Sequence, residues 1–255
     1  MALFFCWIPG ALLWTRLADR YGRKPLTIAC GWLSLLLSAC AALASGYQGF
    51  FVWRGALGLA LGGQGALAYV WTLEWGARSD ASLLTLAGNV SFSLFNLALV
   101  AVAAAAEASS LGWRGQQLIL CALQALPFAL ACGVSESALY LQAAGREQEA
   151  ERALRAALGE DGAARLQGVS ISAPPSAPQG ARAGGTSWRM LVVALSWFTC
   201  NLTFYGLDFS VGACRAEEGC DVYLHAALTA VADIPGYAIC FILADLPAVG
   251  RRLTL

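Results

Sequence analysis

This sequence is short of the residues that catalysis and metal binding need. It holds one histidine, His225, and its nine cysteines show no spacing typical of a metal site. It has no glycine-rich phosphate-binding loop and no nucleophile placed beside a histidine. We therefore expect that the protein is not an enzyme, and we expect no cofactor, no metal and no nucleic-acid partner.

Charge is also scarce. Only 13% of the residues are Asp, Glu, Lys or Arg, whereas 58% are hydrophobic. This balance excludes an ordinary soluble domain of 255 residues. A hydrocarbon core about 30 Å thick needs roughly 20 apolar residues per helix. The predicted spans are Met1–Leu17, Leu26–Ser45, Phe50–Leu73, Ala81–Glu107, Trp113–Val134, Met190–Gly212 and Val222–Asp245.

Arginine and lysine are distributed unevenly among the loops between these spans. One set of loops is basic, with Arg20, Arg23, Lys24, Arg78, Arg146, Arg152, Arg155, Arg165, Arg182, Arg251 and Arg252. The opposite set holds little beyond Arg114 and Arg215. Because basic loops stay on the cytoplasmic side, we predict that the first set is cytoplasmic, with Met1 outside and Leu255 inside.

The predicted organisation has three parts. Residues 1–134 form an N-terminal transmembrane bundle, 135–188 a cytoplasmic loop, and 189–255 the start of a C-terminal bundle. The loop opens with a charged amphipathic helix over Gly145–Leu158, in which Glu151 and Arg155 are spaced for an ion pair. It continues as a flexible linker rich in Ser, Pro, Gly and Ala.

Two residue types predict local contacts. Glycines recur every three or four residues in the third span, at Gly55, Gly58, Gly62 and Gly65, and this spacing predicts close approach of a neighbouring helix backbone. Cys214 and Cys220 fall in the predicted outside loop and are a candidate disulfide in an oxidising compartment. A free pair of thiols is the alternative.

Several local motifs occur in order along the chain. They are Asp19-Arg-Tyr-Gly22-Arg-Lys-Pro25, Arg54-Gly-Ala-Leu-Gly58 running on to Glu74, Trp113-Arg114, Ser135-Glu-Ser-Ala-Leu-Tyr140, Phe204-Tyr-Gly-Leu207, Asp233-Ile-Pro-Gly-Tyr237, and a fainter repeat of the first with Asp245 and Arg251. This series resembles the organic cation/anion transporter family of the major facilitator superfamily. The fourth motif departs from the family pattern because it lacks the family's prolines and arginine.

The resemblance implies an all-α fold of multi-pass transmembrane helices, the major facilitator fold. The chain would correspond to the family's second to eighth helices, so we expect an incomplete transporter, either a fragment or a truncated product. In this fold two bundles enclose a substrate near the bilayer midplane and alternate in access.

Asp233 is the first candidate for contacting a substrate. It is predicted within a span, where a charge costs about 2.5–3.5 kcal/mol by insertion scales, and an anionic side chain in a wet cavity would attract an organic cation. Pairing with Arg54, or capping of the bend at Pro235, is the structural alternative. The resemblance adds Asn89, Phe92 and Tyr205 as cavity-facing residues, for which ordinary helix packing is the alternative.

The resemblance also implies a group of residues that control conformation. They are Asp19, Arg20, Gly22, Arg23, Arg54, Glu74, Asp245 and Arg251. A carboxylate at Asp19 can engage the positive end of a helix in the other half and hold one face closed. The alternative is a plain basic loop.

The predicted function is transmembrane transport of small organic ions, with a cation expected, in the lipid bilayer of the plasma membrane. One alternative is a sugar-porter-like carrier, which a cluster of Gln and Asn in the span 190–212 would favour; that span offers only Asn201. Another is a non-transporting truncated product that binds a full-length carrier. Oligomeric state and energy coupling are left open.

Overall fold

The fold was obtained as a computed structural model, which describes residues 2–76, 80–165, 188, 191–192, 195–196, 198–200, 202–206 and 221–245. The helices with full bounds are α1 (Ala2–Tyr21), α2 (Arg23–Leu43), α3 (Tyr47–Trp75), α4 (Ala81–Ala108), α5 (Gly112–Cys132), α6 (Ala138–Ala143), α7 (Glu147–Arg165) and a last helix, labelled α8 (Val222–Asp245). The described part of the chain contains no strand. The predicted all-α fold class is confirmed.

Five described helices are long and apolar enough to cross a membrane: α2, α3, α4, α5 and α8. Their lipid-facing character shows in large exposed side chains, such as Leu36 and Leu126, which are 61% and 64% exposed. The predicted first span is a helix, α1, but it is not one of the five. Arg16, Asp19 and Arg20 fall in its last turns and lower its apolarity. The predicted span 190–212 is described only in part, and residues 191–192, 195–196, 198–200 and 202–206 are helical.

The chain divides into two compact units. One comprises residues 1–84 and 106–173, and the other comprises residues 85–105 and 174–255. The middle of α4 therefore belongs with the C-terminal residues. This division does not test the three-part organisation predicted from the sequence. Its boundaries at residues 134 and 188 remain predictions.

In the first unit, α1 packs directly against the glycines of α3. A methyl group on Gly58 would overlap the carbonyl oxygen of Leu3, and one on Gly62 would overlap that of Trp7. The Trp14 indole N–H donates to the Leu59 carbonyl at 2.9 Å across the same contact. The predicted close approach is confirmed at Gly58 and Gly62, where small residues let two backbones meet, whereas Gly65 faces open space.

Helix α7 packs beside α6 in the same unit. Ala150 and Ala153 contact Tyr140 and Leu141, with Trp75 against the cluster. The predicted Glu151–Arg155 ion pair is present at 2.6 Å. The buried face of α7 is formed by alanines, whereas Leu158 is 50% exposed.

Candidate functional site

Two candidate sites contain predicted residues, each within one unit of the chain. One is a cavity lined by Asp233 in the unit formed by residues 85–105 and 174–255. The other is a charged cluster at the ends of α1, α2 and α3 in the other unit.

The cavity has a volume of about 180 Å³, and helical periodicity determines which residues of each helix line it. Residues at spacings of three and four share a helix face, and both α4 and α8 contribute such a set. The lining residues are Asn96, Leu99 and Val100 from α4, Phe204, and Ala226, Thr229, Ala230 and Asp233 from α8. The wall is largely apolar, and its polar groups are few.

Among the described residues that line the cavity, Asp233 is the only ionisable one. Its side chain is half-buried, and it interacts electrostatically with the phenol of Tyr237, one turn further along α8. The Thr229 hydroxyl donates to the His225 carbonyl of its own helix at 3.0 Å, so its oxygen is left to accept from a ligand. The cavity therefore offers acceptors and one negative charge.

An aromatic cluster adjoins the cavity. The rings of Phe92 and Phe204 have centroids 6.4 Å apart, and Phe204 meets Tyr205 edge-to-face at 5.4 Å. Phe204 lines the cavity, whereas Phe92 and Tyr205, the two aromatics named from the sequence, do not. Phe92 is 48% exposed.

Asn96 and Thr229 were missed by the sequence analysis. A usable sequence signal existed for Asn96, because it lies seven residues after Asn89 and so on the same face of α4. Asn89 itself is half-buried and is not part of the cavity lining. Ser93, between them in sequence, is 1% exposed; its hydroxyl lies beside Tyr237 but makes no close hydrogen bond within the described residues.

Arg23 organises the charged cluster. Its guanidinium lies 3.3 Å from Asp19 and 3.2 Å from Glu74, and 4.9 Å from the centre of the Tyr140 ring. The Asp19 side chain is 76% exposed, so its pair is screened by water and contributes at most about 1 kcal/mol. The Glu74 side chain is 17% exposed. The Arg23–Glu74 ion pair is therefore stronger than the Arg23–Asp19 ion pair, and it links the start of α2 to the end of α3.

Glu136, in the segment before α6, also contacts this cluster. Its carboxylate accepts from the backbone N–H of Lys24 at 3.1 Å and from that of Ser137 at 2.8 Å. A carboxylate at this place satisfies an N–H group at the start of α2 and faces the positive end of the helix dipole. The sequence analysis quoted Glu136 within a motif but gave it no role.

Gly22 is required by that arrangement. Its φ is +109° and its ψ is 157°, a region that L-residues rarely adopt, and a Cβ there would overlap the Glu136 carboxylate. Arg20 contributes through its backbone, because its carbonyl accepts from the Tyr140 hydroxyl at 3.1 Å.

Arg54 lies away from this cluster, in the second turn of α3. It is half-buried, and its guanidinium stands 5.6 Å from the centre of the Phe50 ring. Arg251, Cys214 and Cys220 lie outside the described residues, as does the side chain of Asp245. In the part of the chain that the structure describes, no three His, Cys, Asp or Glu side chains are grouped so that they could hold a metal.

Comparison with known proteins gives consistent matches. The family described as "Sugar (and other) transporter" matches residues 1–204. Solute carrier family 22 member 15 from Xenopus tropicalis is 28% identical in an alignment of 262 positions, which covers 96% of this chain and 46% of that protein. Solute carrier family 22 member 7 from Sus scrofa is 29% identical and covers 96% of this chain and 46% of its own length. This chain thus spans about half the length of the curated relatives it matches.

Among solved structures, the proton:xylose symporter XylE bound to 6-bromo-6-deoxy-D-glucose matches 96% of this chain and 58% of its own, with a TM-score of 0.70 and 20% identity. XylE from E. coli in a partially occluded, inward-open conformation matches with a TM-score of 0.53 and 18% identity. At this identity the match shows the fold alone.

Proposed function

This chain belongs to the sugar (and other) transporter family of the major facilitator superfamily, and from that premise we propose that it forms part of a carrier for small organic cations. The predicted superfamily is confirmed, and the solute carrier family 22 relatives agree with the predicted branch. The protein is a multi-pass membrane protein. The plasma membrane is the expected location.

The cavity at Asp233 carries the proposal. Its described lining combines one carboxylate, the Asn96 amide, the Thr229 oxygen and the Phe204 ring. A carboxylate in a partly dehydrated site attracts a cation more strongly than in water, and an aromatic face adds up to about 2 kcal/mol when desolvated.

Alternating access is the proposed mechanism. In carriers of this superfamily two halves rock about a midplane site. The Arg23–Glu74 ion pair and the hydrogen bond from the Lys24 backbone N–H to Glu136 would keep the adjoining ends of α1, α2 and α3 together as one rigid body during that motion. For a monovalent cation, a membrane potential of about 100 mV supplies roughly 2.3 kcal/mol per charge, so no coupled ion is needed.

The experiment compares Asp233→Asn with Asp221→Asn in the chain reconstituted in nanodiscs. Each change removes one negative charge, Asp233 from within α8 and Asp221 from the position just before it. Asp221 caps the start of the helix by accepting from the Tyr223 and Leu224 N–H groups, and asparagine preserves such a cap. Binding of a fluorescent quaternary ammonium probe is measured beside a neutral analogue and a hexose.

We expect Asp233→Asn to weaken cation binding by about tenfold or more, about 1.4 kcal/mol, with the neutral analogue little affected and Asp221→Asn near wild type. A purely structural Asp233 would lower the folded yield and leave cation affinity unchanged. Hexose binding tighter than cation binding would favour the sugar-porter alternative.

A further inference from the structure

A second pocket, of about 520 Å³, lies at the adjoining ends of α1, α2 and α7. All of its described lining residues belong to the unit formed by residues 1–84 and 106–173, whereas those of the Asp233 cavity belong to the other unit. Its charged lining comprises three basic side chains, Lys24, Arg146 and Arg152, and two carboxylates, Glu136 and Glu149. The transport proposal gives this pocket no role.

Both carboxylates are already engaged. Glu136 accepts from the backbone N–H groups of Lys24 and Ser137, so its charge is directed at the start of α2. Glu149 accepts two hydrogen bonds from the Arg146 guanidinium, at 2.6 and 2.8 Å. The Arg146 hydrogen bond lowers the pKa of Glu149, so this pair stays ionised and mutually compensated at neutral pH.

The Lys24 ammonium and the Arg152 guanidinium remain. Neither forms an ion pair with any residue that the structure describes. Lys24 is half-buried at the first turn of α2, and Arg152 is exposed on α7. Arg152 interacts electrostatically with Glu149, which is already hydrogen-bonded to Arg146. Among the described lining residues, three basic side chains therefore stand against two carboxylates, and two of the positive groups come from different elements.

We propose that this pocket binds a phosphomonoester group, with Lys24 and Arg152 as its principal donors. A phosphomonoester carries about −1.5 to −2 charges at neutral pH and three acceptor oxygens, so it would satisfy both cations at once. The arginine fork suits phosphate oxygens in a bidentate arrangement, and the lysine supplies a point charge beside it. The available volume accommodates the phosphate together with part of a sugar or inositol ring.

Two sources can present such a group: the headgroup of an inositol phospholipid or a soluble inositol phosphate. The surroundings favour the lipid. The pocket opens at the first turn of α2, a membrane-spanning helix, and beside Tyr21, which is 57% exposed. Aromatic rings and basic pockets at the cytoplasmic end of spans are typical of lipid headgroup contacts.

The test measures binding of three soluble probes to the purified chain in detergent by thermophoresis. The probes are dioctanoyl phosphatidylinositol 4-phosphate, dioctanoyl phosphatidylinositol, and inositol 1,4-bisphosphate. We expect the phosphorylated lipid to bind about tenfold or more tightly than the unphosphorylated one, and inositol bisphosphate to bind more weakly than the phosphorylated lipid. Equal binding of inositol bisphosphate and the phosphorylated lipid would support the phosphate site and assign it to a soluble ligand.

The variants separate a site from general surface charge. Lys24→Gln with Arg152→Gln should abolish the preference for the phosphorylated lipid. Arg155→Gln is the matched control, because Arg155 is on the same helix, pairs with Glu151 and does not line the pocket; its affinity should stay within about twofold of wild type.

Arg152→Lys keeps the charge and should retain most of the binding, which guards against misreading a folding defect. Equal affinity for both lipids in the wild-type chain would overturn the proposal, and so would an equal loss of affinity in Arg155→Gln.

Discussion

The effects of substitutions at Gly22 and Glu136 on stability should be coupled, and a double-mutant cycle can measure the coupling free energy. Gly22 holds a φ of +109° that places the start of α2 against the Glu136 carboxylate. In Gly22→Ala the new methyl group would overlap that carboxylate and displace it. In Glu136→Ala the carboxylate is gone, so the methyl group no longer meets it.

The magnitudes follow from the contacts. Glu136→Ala removes charge-assisted bonds to the Lys24 and Ser137 N–H groups, which should lower the free energy of unfolding by about 1.5–3 kcal/mol. Gly22→Ala adds backbone strain of about 1–3 kcal/mol and also loses the cap, so a loss of about 2.5–6 kcal/mol is expected. The double variant should lose the cap only once. Its effect should fall short of the sum by about 1.5 kcal/mol or more.

The measurement is unfolding of the purified chain by SDS in mixed micelles, followed by helical circular dichroism. Gly112→Ala is the matched control, because its φ is +68° and a Cβ there would meet nothing within 4 Å. That change should cost about 1–2 kcal/mol of strain alone and should add to Glu136→Ala without coupling. Additivity of Gly22→Ala and Glu136→Ala within about 0.5 kcal/mol would refute the reasoning.

Three further outcomes are expected. Gly62→Leu should separate α1 from α3 and lower the folded yield, whereas Gly65→Leu, on the same helix with open space around its Cα, should not; equal yields by fluorescence-detected gel filtration would count against the contact. Single cysteines at Ala163 and Gln48 should label oppositely with an impermeant thiol reagent added outside, and labelling of position 163 alone would reverse the predicted orientation. Phe204→Leu should weaken binding of a quaternary ammonium probe by up to about 2 kcal/mol, with little change for a neutral analogue; equal losses for both would indicate a packing role only.

Helix bounds illustrate how far local sequence information reaches. Helix α8 has the predicted bounds, Val222–Asp245, because a predominantly apolar run of that length is suited to span a membrane. Helix α2 begins at Arg23, three residues before the predicted Leu26. The added turn carries Arg23 and Lys24, which apolarity cannot predict, and the Glu136 carboxylate, 112 residues away, is what caps it.

Composition and spacing thus determined the membrane class, most of the helices and the glycine-mediated contact. Each of these rests on properties that a single segment carries alone: its length, its apolarity, and which residues share a face. The family came from the resemblance of the ordered motifs. The tertiary structure alone decided that Phe204 lines the cavity in place of Tyr205, that Asn96 and Thr229 stand with Asp233, and that Glu136 meets Gly22. A helical repeat fixes the direction of a side chain around its own axis, but the group that it faces comes from another part of the chain and is set only when the helices pack.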